Sequence, residues 1–303
     1  MMNLNAMLQN HRAPLLGIAA LVAAFPIGAA ESKTAYSIET GLIYSDAFPG
    51  LSLDLLLPKT SSAKGRLPCV LVIQGGGFSA QDGQKFRPFA VYLAERGFAA
   101  ALIAYRGRPN HRYQDTIADA KTAVRYIRKT SGHFGIDPDR IGAVGGSAGG
   151  TITGLLAVTD DTFEAGIEYP EYSSRIQAAV IFAGVFDFVA RFTDDSQIAL
   201  QPNIATKIDS NGEWIGPRFS ASNEDWIAAS CVSHIDNGDP PILLIHSKDD
   251  STVPWLQSQG MHEAMRKVGI ASMIQYYETG GHGFWNQAEP PKADMLRFFT
   301  NKL

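Results

Sequence analysis

A short apolar stretch, Ile141–Val144, leads directly into Gly145-Gly146-Ser147-Ala148-Gly149. Gly145, Ser147 and Gly149 fit the pattern G-x-S-x-G, in which a serine occupies a sharp turn between a strand and a helix. Such a turn strains the serine backbone and leaves room only for glycine two positions to either side. Because 29 of the 303 residues are glycine, a glycine-rich turn with an incidental serine is the alternative, and the pattern needs support from the rest of the chain.

The remainder of the chain alternates between apolar segments and amphipathic ones. This alternation predicts an α/β protein with a mainly parallel central sheet and helices on both faces. The apolar segments predicted as strands are 35–44, 51–57, 68–74, 98–105, 176–182, 241–246 and 271–277. The segments predicted as helices are 85–96, 114–129, 151–158, 253–268 and 291–303. In such sheets the functional groups lie at the carboxyl ends of the strands.

Periodicity fades between residues 184 and 240, where Asp, Asn, Ser and Trp are frequent. A structureless loop of this length is improbable in a compact domain. Residues 185–239 are therefore predicted to form a small lid-like insertion over the carboxyl edge of the sheet.

The chain offers one histidine in a setting that suits a general base. A serine hydroxyl is inert unless a base removes its proton. His282 lies in Gly280-Gly281-His282-Gly283-Phe284, a loop that follows the last predicted strand, whereas His246 ends an apolar strand and is interpreted as an internal cap. We therefore expect His282 to serve as the base for Ser147.

The acid that orients this base should lie between serine and histidine in chain order. Asp249 and Asp250 follow the penultimate strand, and Asp187 follows the strand at 176–182. Adjacent side chains in a turn point apart, so only one of the first two can face His282. The residues alone do not choose between Asp249 and Asp250, and Asp187 stays a third candidate.

A glycine run, Gly75-Gly76-Gly77, follows the strand at 68–74. Backbone N–H groups at glycine approach an oxyanion closely because no Cβ intervenes. Gly76 and Gly77, together with Ala148 after the serine, are the predicted oxyanion-hole donors.

The net charge of the chain argues against two kinds of binding partner. A net charge of −4 gives no reason to expect nucleic acid or an anionic membrane as a partner.

Residues 1–30 read as a signal peptide because an apolar run precedes small residues near Ala30. The mature catalytic domain would then be 31–303, secreted or periplasmic and without stable membrane association. Cys69 and Cys231 are distant in sequence and are expected to be buried free thiols.

Taken together, these motifs resemble the α/β-hydrolase family. The closest likeness is to its esterase/lipase branch, with the hormone-sensitive-lipase-like carboxylesterases and the bacterial acetylxylan and feruloyl esterases. The resemblance implies Asp250 rather than Asp249 as the acid, and it implies no metal or cofactor. Two positions depart from the family pattern: Gln74 replaces the histidine before the glycine run, and Ser247 stands where glycine is usual.

The expected activity is that of a serine carboxylic-ester hydrolase acting on acetyl or feruloyl esters of polysaccharides or on small acyl esters. Alternatives are a general short-chain carboxylesterase or lipase, a peptidase of the prolyl-oligopeptidase type, and a non-catalytic binding module on the same fold. Four aromatic residues near the site motifs are candidates for substrate contact, either with sugars or with a phenolic acyl group. They are Phe78, Trp214, Trp255 and Trp285.

Overall fold

The computed structural model describes residues 35–59, 65–160, 162–164, 166, 168–286 and 289–303. These residues form an eight-stranded sheet with the order β1-β2-β4-β3-β5-β6-β7-β8. The two pairings among β1, β2 and β4 are antiparallel, and all the others are parallel. The strands are β1 Tyr36–Ile43, β2 Ser52–Pro58, β3 Leu67–Ile73, β4 Ala99–Ile103, β5 Ile136–Gly146, β6 Ala178–Phe182, β7 Ile242–Ser247 and β8 Ser272–Tyr277.

Helices cover both faces of the sheet. Apolar residues of α2, α3 and α8 build the core on one face, and those of α1 and α9 build the core on the other. The central strands are buried throughout, as their continuous apolar composition predicts. The helices are α1 Arg87–Ala94, α2 Tyr113–Phe134, α3 Ala148–Val158, α4 Phe188–Thr193, α5 Asp195–Ala199, α6 Ile204–Ile215, α7 Glu224–Ala228, α8 Leu256–Lys267 and α9 Glu289–Lys302.

Every strand and helix predicted from the apolar pattern is present, with ends that shift by a few residues. The largest shifts are of five residues: β5 already begins at Ile136, and α2 continues to Phe134. The segment at 185–239, predicted only as an insertion, contains the four short helices α4 to α7. Their periodicity is hard to read because three of them span six residues or fewer.

The sequence also predicted a signal peptide and two buried free thiols. The predicted signal peptide, residues 1–30, lies outside the described residues. Among the described residues, every helix is too short or too polar to cross a membrane. Cys69 and Cys231 are buried free thiols, as predicted, and burial raises the pKa of Cys69 to about 12.

The turns after β3, β5, β7 and β8 meet at the carboxyl edge of the parallel sheet. They carry the glycine run, Ser147, the Asp249–Asp250 pair and His282, respectively. Parallel pairing brings these four turns together, although they are spread over more than 200 positions of the chain.

Candidate active site

Ser147 occupies the turn between β5 and α3 in a strained conformation, with φ 56° and ψ −125°. Its amide donates to the Phe182 carbonyl at 2.8 Å, which ties the turn to β6. A Cβ at Gly145 would lie 2.2 Å from the Gly149 carbonyl oxygen, and a Cβ at Gly149 would lie 2.1 Å from the Ile73 carbonyl oxygen. Both contacts are with backbone, which cannot easily move, so the G-x-S-x-G spacing is required by packing.

Ser147, His282 and Asp250 form one hydrogen-bonded series. The Ser147 hydroxyl lies 2.8 Å from Nε2 of His282, and Nδ1 of His282 lies 2.7 Å from Oδ2 of Asp250. An ionised carboxylate only accepts hydrogen bonds, so Nδ1 carries the proton and donates it. Nε2 is then the acceptor, and it faces the hydroxyl that must lose a proton.

The Asp250 carboxylate is buried at 2% exposure and fully hydrogen-bonded. Its Oδ1 accepts from the amides of Thr252, at 2.8 Å, and Val253, at 3.0 Å. Burial by itself raises the pKa of Asp250, but hydrogen bonds from His246 and His282 outweigh burial and hold the pKa well below its ordinary value. The carboxylate is therefore ionised at neutral pH, as an orienting acid requires.

Asp249, on the same loop, binds backbone amides instead of the His282 ring. Its exposed carboxylate accepts from the amides of Gly280, at 3.1 Å, and Gly281, at 2.8 Å, and from the Ser247 hydroxyl at 2.6 Å. These bonds anchor the backbone just before His282. Asp187, the third candidate, caps α4 by accepting from the Ala190 amide at 2.8 Å.

His246 extends the series behind Asp250. It is fully buried, and its Nε2 lies 3.0 Å from the Val253 carbonyl oxygen and 3.3 Å from Oδ2 of Asp250. A carbonyl only accepts, so Nε2 carries the proton, and Nδ1 accepts from the Ser258 hydroxyl at 2.7 Å. The sequence interpretation as an internal cap missed this contact with Asp250, for which the four-residue spacing was the available signal.

Arg191 and Lys207 support the acid turn from the insertion. Arg191 is buried, and its guanidinium donates to the Thr252 carbonyl at 2.8 Å and to the Asn211 side chain at 3.1 Å. Burial lowers the pKa of Arg191 to about 10, and the nearby Asp250 opposes this shift. Lys207 donates to the Ser251 carbonyl at 2.9 Å. Sequence reasoning missed both residues because their partners are carbonyls brought near only by folding.

Gly76 and Gly77 form the turn that follows β3, and Ala148 is the first residue of α3. A Cβ at the neighbouring Gly75 would lie 3.1 Å from Cβ of Ser147, so this turn borders the serine directly. Among the described residues, neither Gly76 nor Gly77 donates its amide to a backbone or side-chain acceptor. Free amides next to a serine are what an oxyanion site needs.

Side chains rather than a histidine support this glycine turn. The Gln74 side chain accepts from the Lys85 amide at 2.6 Å and donates to the Gln81 side chain. Arg108 donates to the Gly77 carbonyl at 2.6 Å and pairs with Glu213 of α6. Side-chain hydrogen bonds therefore hold the glycine turn even though Gln74 stands where the family pattern has histidine.

Three of the four aromatic candidates require a correction. Phe78 and Trp214 are 3% and 0% exposed and stack on each other with ring centroids 4.1 Å apart, so they pack the insertion against the glycine turn. Trp285 is buried edge-on against the His282 ring at 5.4 Å. Trp255 is half-buried and packs against Tyr276. Burial makes Phe78, Trp214 and Trp285 packing residues, whereas contact of the half-buried Trp255 with a substrate stays a prediction.

Comparison with known proteins identifies several similar chains. The probable carboxylic ester hydrolase LipM of Mycobacterium tuberculosis is 31% identical over 79% of this chain and 54% of its own length. The truncated form of carbohydrate esterase from gut microbiota has a TM-score of 0.78 at 26% identity, over 89% of this chain and 98% of that one. Esterase 2 of Thermogutta terrifontis, phosphonylated by sarin, has a TM-score of 0.71 at 27% identity, over 88% and 92%.

The match to LipM thus spans only about half of that relative's length. The eight-stranded sheet and the structural neighbours confirm the α/β-hydrolase fold predicted from the sequence. The BD-FAE family model matches residues 53–265, which is more than half of the chain. The chain belongs to the BD-FAE family.

Proposed function

We propose that this chain is a serine carboxylic-ester hydrolase that works through an acyl-enzyme. The observation that carries the proposal is the hydrogen-bonded series from Ser147 Oγ through His282 to Asp250, at 2.8 and 2.7 Å. Relatives named as ester hydrolases support it. No step of this chemistry needs a metal or a cofactor.

In the first half-reaction, Ser147 Oγ bonds to the ester carbonyl carbon while its proton passes to Nε2 of His282. The amides of Gly76, Gly77 and Ala148 stabilise the oxyanion, and each such donor is worth about 3 kcal/mol in the transition state. The carbon–oxygen bond to the alcohol then breaks, and Nε2 returns its proton to the leaving alcohol. Asp250 holds the histidine tautomer and stabilises the imidazolium throughout.

In the second half-reaction, a water molecule attacks the acyl-enzyme and gives a proton to Nε2. The bond to Ser147 Oγ breaks, the serine recovers the proton from His282, and the carboxylic acid leaves. The serine turn is held rigidly between β5 and α3, so the nucleophile keeps its position through both halves.

The substrates that we propose are acetyl or feruloyl esters of polysaccharides, or small acyl esters. The carbohydrate esterase among the structural neighbours supports the first class. A general short-chain carboxylesterase or lipase is the closest alternative. A panel of p-nitrophenyl acetate, p-nitrophenyl butyrate, methyl ferulate and acetylated xylan, compared by kcat/KM, separates these classes. A p-nitroanilide amide in the same panel tests the peptidase alternative.

The decisive variant is Ser147→Ala, with Ser220→Ala on the exposed surface of the insertion as its matched control. We expect Ser147→Ala to abolish turnover of p-nitrophenyl acetate and labelling by a fluorophosphonate probe, and Ser220→Ala to retain both. Turnover by Ser147→Ala at the unaltered rate would refute the assignment of the nucleophile. A wild-type protein that hydrolyses no ester of the panel would refute the activity itself.

We further propose that the mature chain is exported, with cleavage after Ala30. The support is the apolar run and the small residues of the first 30 positions. Mass spectrometry of the protein from periplasmic and culture fractions of an expressing bacterium tests this. An intact mass that includes residues 1–30 in every fraction would contradict it.

A further inference from the structure

A wide groove of about 1070 Å³ lies beside the glycine turn, at the carboxyl edge of the sheet. Its walls come from the β1–β2 connection, from residues 80–85 after the glycine turn, and from the segment that joins β4 to α2. Neither Ser147 nor His282 lines it. Hydrolysis of a small ester therefore makes no use of this groove, whose size exceeds what an acetyl group fills.

The groove and the catalytic serine are neighbours across the glycine turn. Gly75 borders Ser147, and a Cβ at Gly76 would lie 2.2 Å from Nε2 of Gln81, a residue that lines the groove. Arg108, on the same wall, donates to the Gly77 carbonyl at 2.6 Å. The glycine turn thus stands between Ser147 and the groove, and a polymer that extends across this turn from an ester bound at Ser147 would enter the groove.

The groove contains an exposed aromatic ring. Phe48 is 44% exposed, and the guanidinium of Arg106 covers one of its faces at 3.7 Å from the ring centroid. The wall also carries the exposed side chain of Asn110, a planar amide that both donates and accepts hydrogen bonds. The Gln84 amide on the same wall is already bonded to Asp54 and Arg87. An aromatic ring beside an exposed amide suits a sugar, which has apolar C–H surfaces and hydroxyl groups.

The charges of the wall are largely compensated within the protein. Arg106 pairs with Asp119 at 2.6 Å, Arg108 pairs with Glu213, and Asp54 pairs with Arg87 at 2.5 Å. Paired cations have little left to offer an anionic ligand. Asp82 and Lys85 are exposed on the same wall and carry opposite charges, so they add no net positive charge. The lining therefore favours an uncharged ligand over a polyanion.

We propose that this groove is a glycan subsite that binds uncharged sugar units next to the esterified sugar of a polysaccharide. The inference rests on the proposed esterase function for its place in a reaction. Phe48 in this groove can make the aromatic contact with a sugar that the buried Phe78 and Trp214 cannot make.

The test compares kcat/KM on p-nitrophenyl acetate with kcat/KM on acetylated xylo-oligosaccharides of increasing length. The variants are Phe48→Ala and Asn110→Ala, with Met273→Ala, an exposed residue of β8 at the opposite edge of the sheet, as control. We expect the wild-type kcat/KM to rise with oligosaccharide length. Loss of the Phe48 ring should lower kcat/KM on the longest oligosaccharide roughly tenfold, the usual scale for truncating an aromatic anchor.

Turnover of p-nitrophenyl acetate should stay at the wild-type rate in both variants. The proposal is overturned if the wild-type rate is independent of length, or if both groove variants match Met273→Ala on every oligosaccharide. An equal loss on the small ester and on the oligosaccharide would also overturn it, because that result marks a structural effect.

Binding separates this inference from the esterase proposal. Unesterified xylohexaose should bind to the Ser147→Ala protein in calorimetry, and addition of Phe48→Ala should weaken that binding by a similar factor. Tri-galacturonate should bind more weakly than xylohexaose, and tighter binding of this anion would contradict the uncharged specificity. If Ser147→Ala binds xylohexaose but the wild-type protein hydrolyses no ester, the proposed function alone is refuted. If the wild-type protein hydrolyses esters but Ser147→Ala does not bind xylohexaose, the subsite alone is refuted.

Discussion

The two adjacent aspartates allow a matched test of the catalytic geometry. In Asp250→Asn, the amide oxygen can still accept from the backbone of Thr252 and Val253, as Oδ1 does now. The amide nitrogen then faces Nδ1 of His282, so two donors meet where a donor met an acceptor. Reversing the amide would instead place its nitrogen against the two backbone N–H groups, which costs both of those hydrogen bonds.

The two donors stop opposing each other only if the His282 proton moves from Nδ1 to Nε2. Protonated Nε2 can then no longer accept a hydrogen bond from Ser147. The replacement of an orienting carboxylate by an amide lowers kcat about 10⁴-fold through this change of tautomer, which corresponds to about 5 kcal/mol in the barrier. We expect this loss in Asp250→Asn, measured as kcat on p-nitrophenyl acetate with folding verified by circular dichroism.

Asp249→Asn is the control. Its oxygen can keep the contacts with Gly281 and Ser247, and only the bond from the Gly280 amide at 3.1 Å is lost. Because this side chain is exposed and does not touch His282, kcat should fall by less than about tenfold. Equal losses in the two variants, or more than a tenth of wild-type kcat in Asp250→Asn, would refute the assignment of roles.

Three further predictions concern stability. Gly149→Ala places a Cβ 2.1 Å from a backbone carbonyl oxygen and should destabilise the protein by about 3 kcal/mol, whereas Gly132→Ala in open space on α2 should stabilise it by about 1 kcal/mol, both measured by urea unfolding. Because folding lowers the pKa of Asp250, its carboxylate contributes stability that is fully present above the unfolded pKa of about 4 and is lost as the pH falls below that value. The difference in unfolding free energy between wild type and Asp250→Asn should therefore shrink from pH 7 to pH 3. A difference that grows over this range would contradict the prediction. Lys121→Met removes the buried ammonium group that donates to three backbone carbonyls after α3, and it should lower the unfolding free energy in urea by about 3 kcal/mol. The control Lys267→Met, on the surface, should change the unfolding free energy by less than about 0.5 kcal/mol.

The sequence predicted the sheet and the order of the site motifs because both are local patterns. A continuous apolar run indicates a buried strand wherever it lies in the chain, and the turn chemistry after it is written in neighbouring residues. Gly145, Ser147 and Gly149 could be read in this way, because the clash that excludes larger residues arises at the turn itself. His282 could be read similarly, from the glycines beside it and the strand before it.

Only the tertiary structure decided matters that depend on which way a side chain points. Residue chemistry does not distinguish Asp249 from Asp250, and in the sequence only the family resemblance favoured Asp250. The fold directs Asp249 toward solvent and the Gly280–Gly281 backbone, and Asp250 inward to His282 and His246. The aromatic residues near the motifs looked available to a substrate, yet Phe78 and Trp214 are buried against each other because the insertion folds onto the glycine turn. The groove beside Phe48 draws on three separate segments of the chain. Contacts between such distant segments are set by how the elements pack, and packing leaves no local pattern in the sequence.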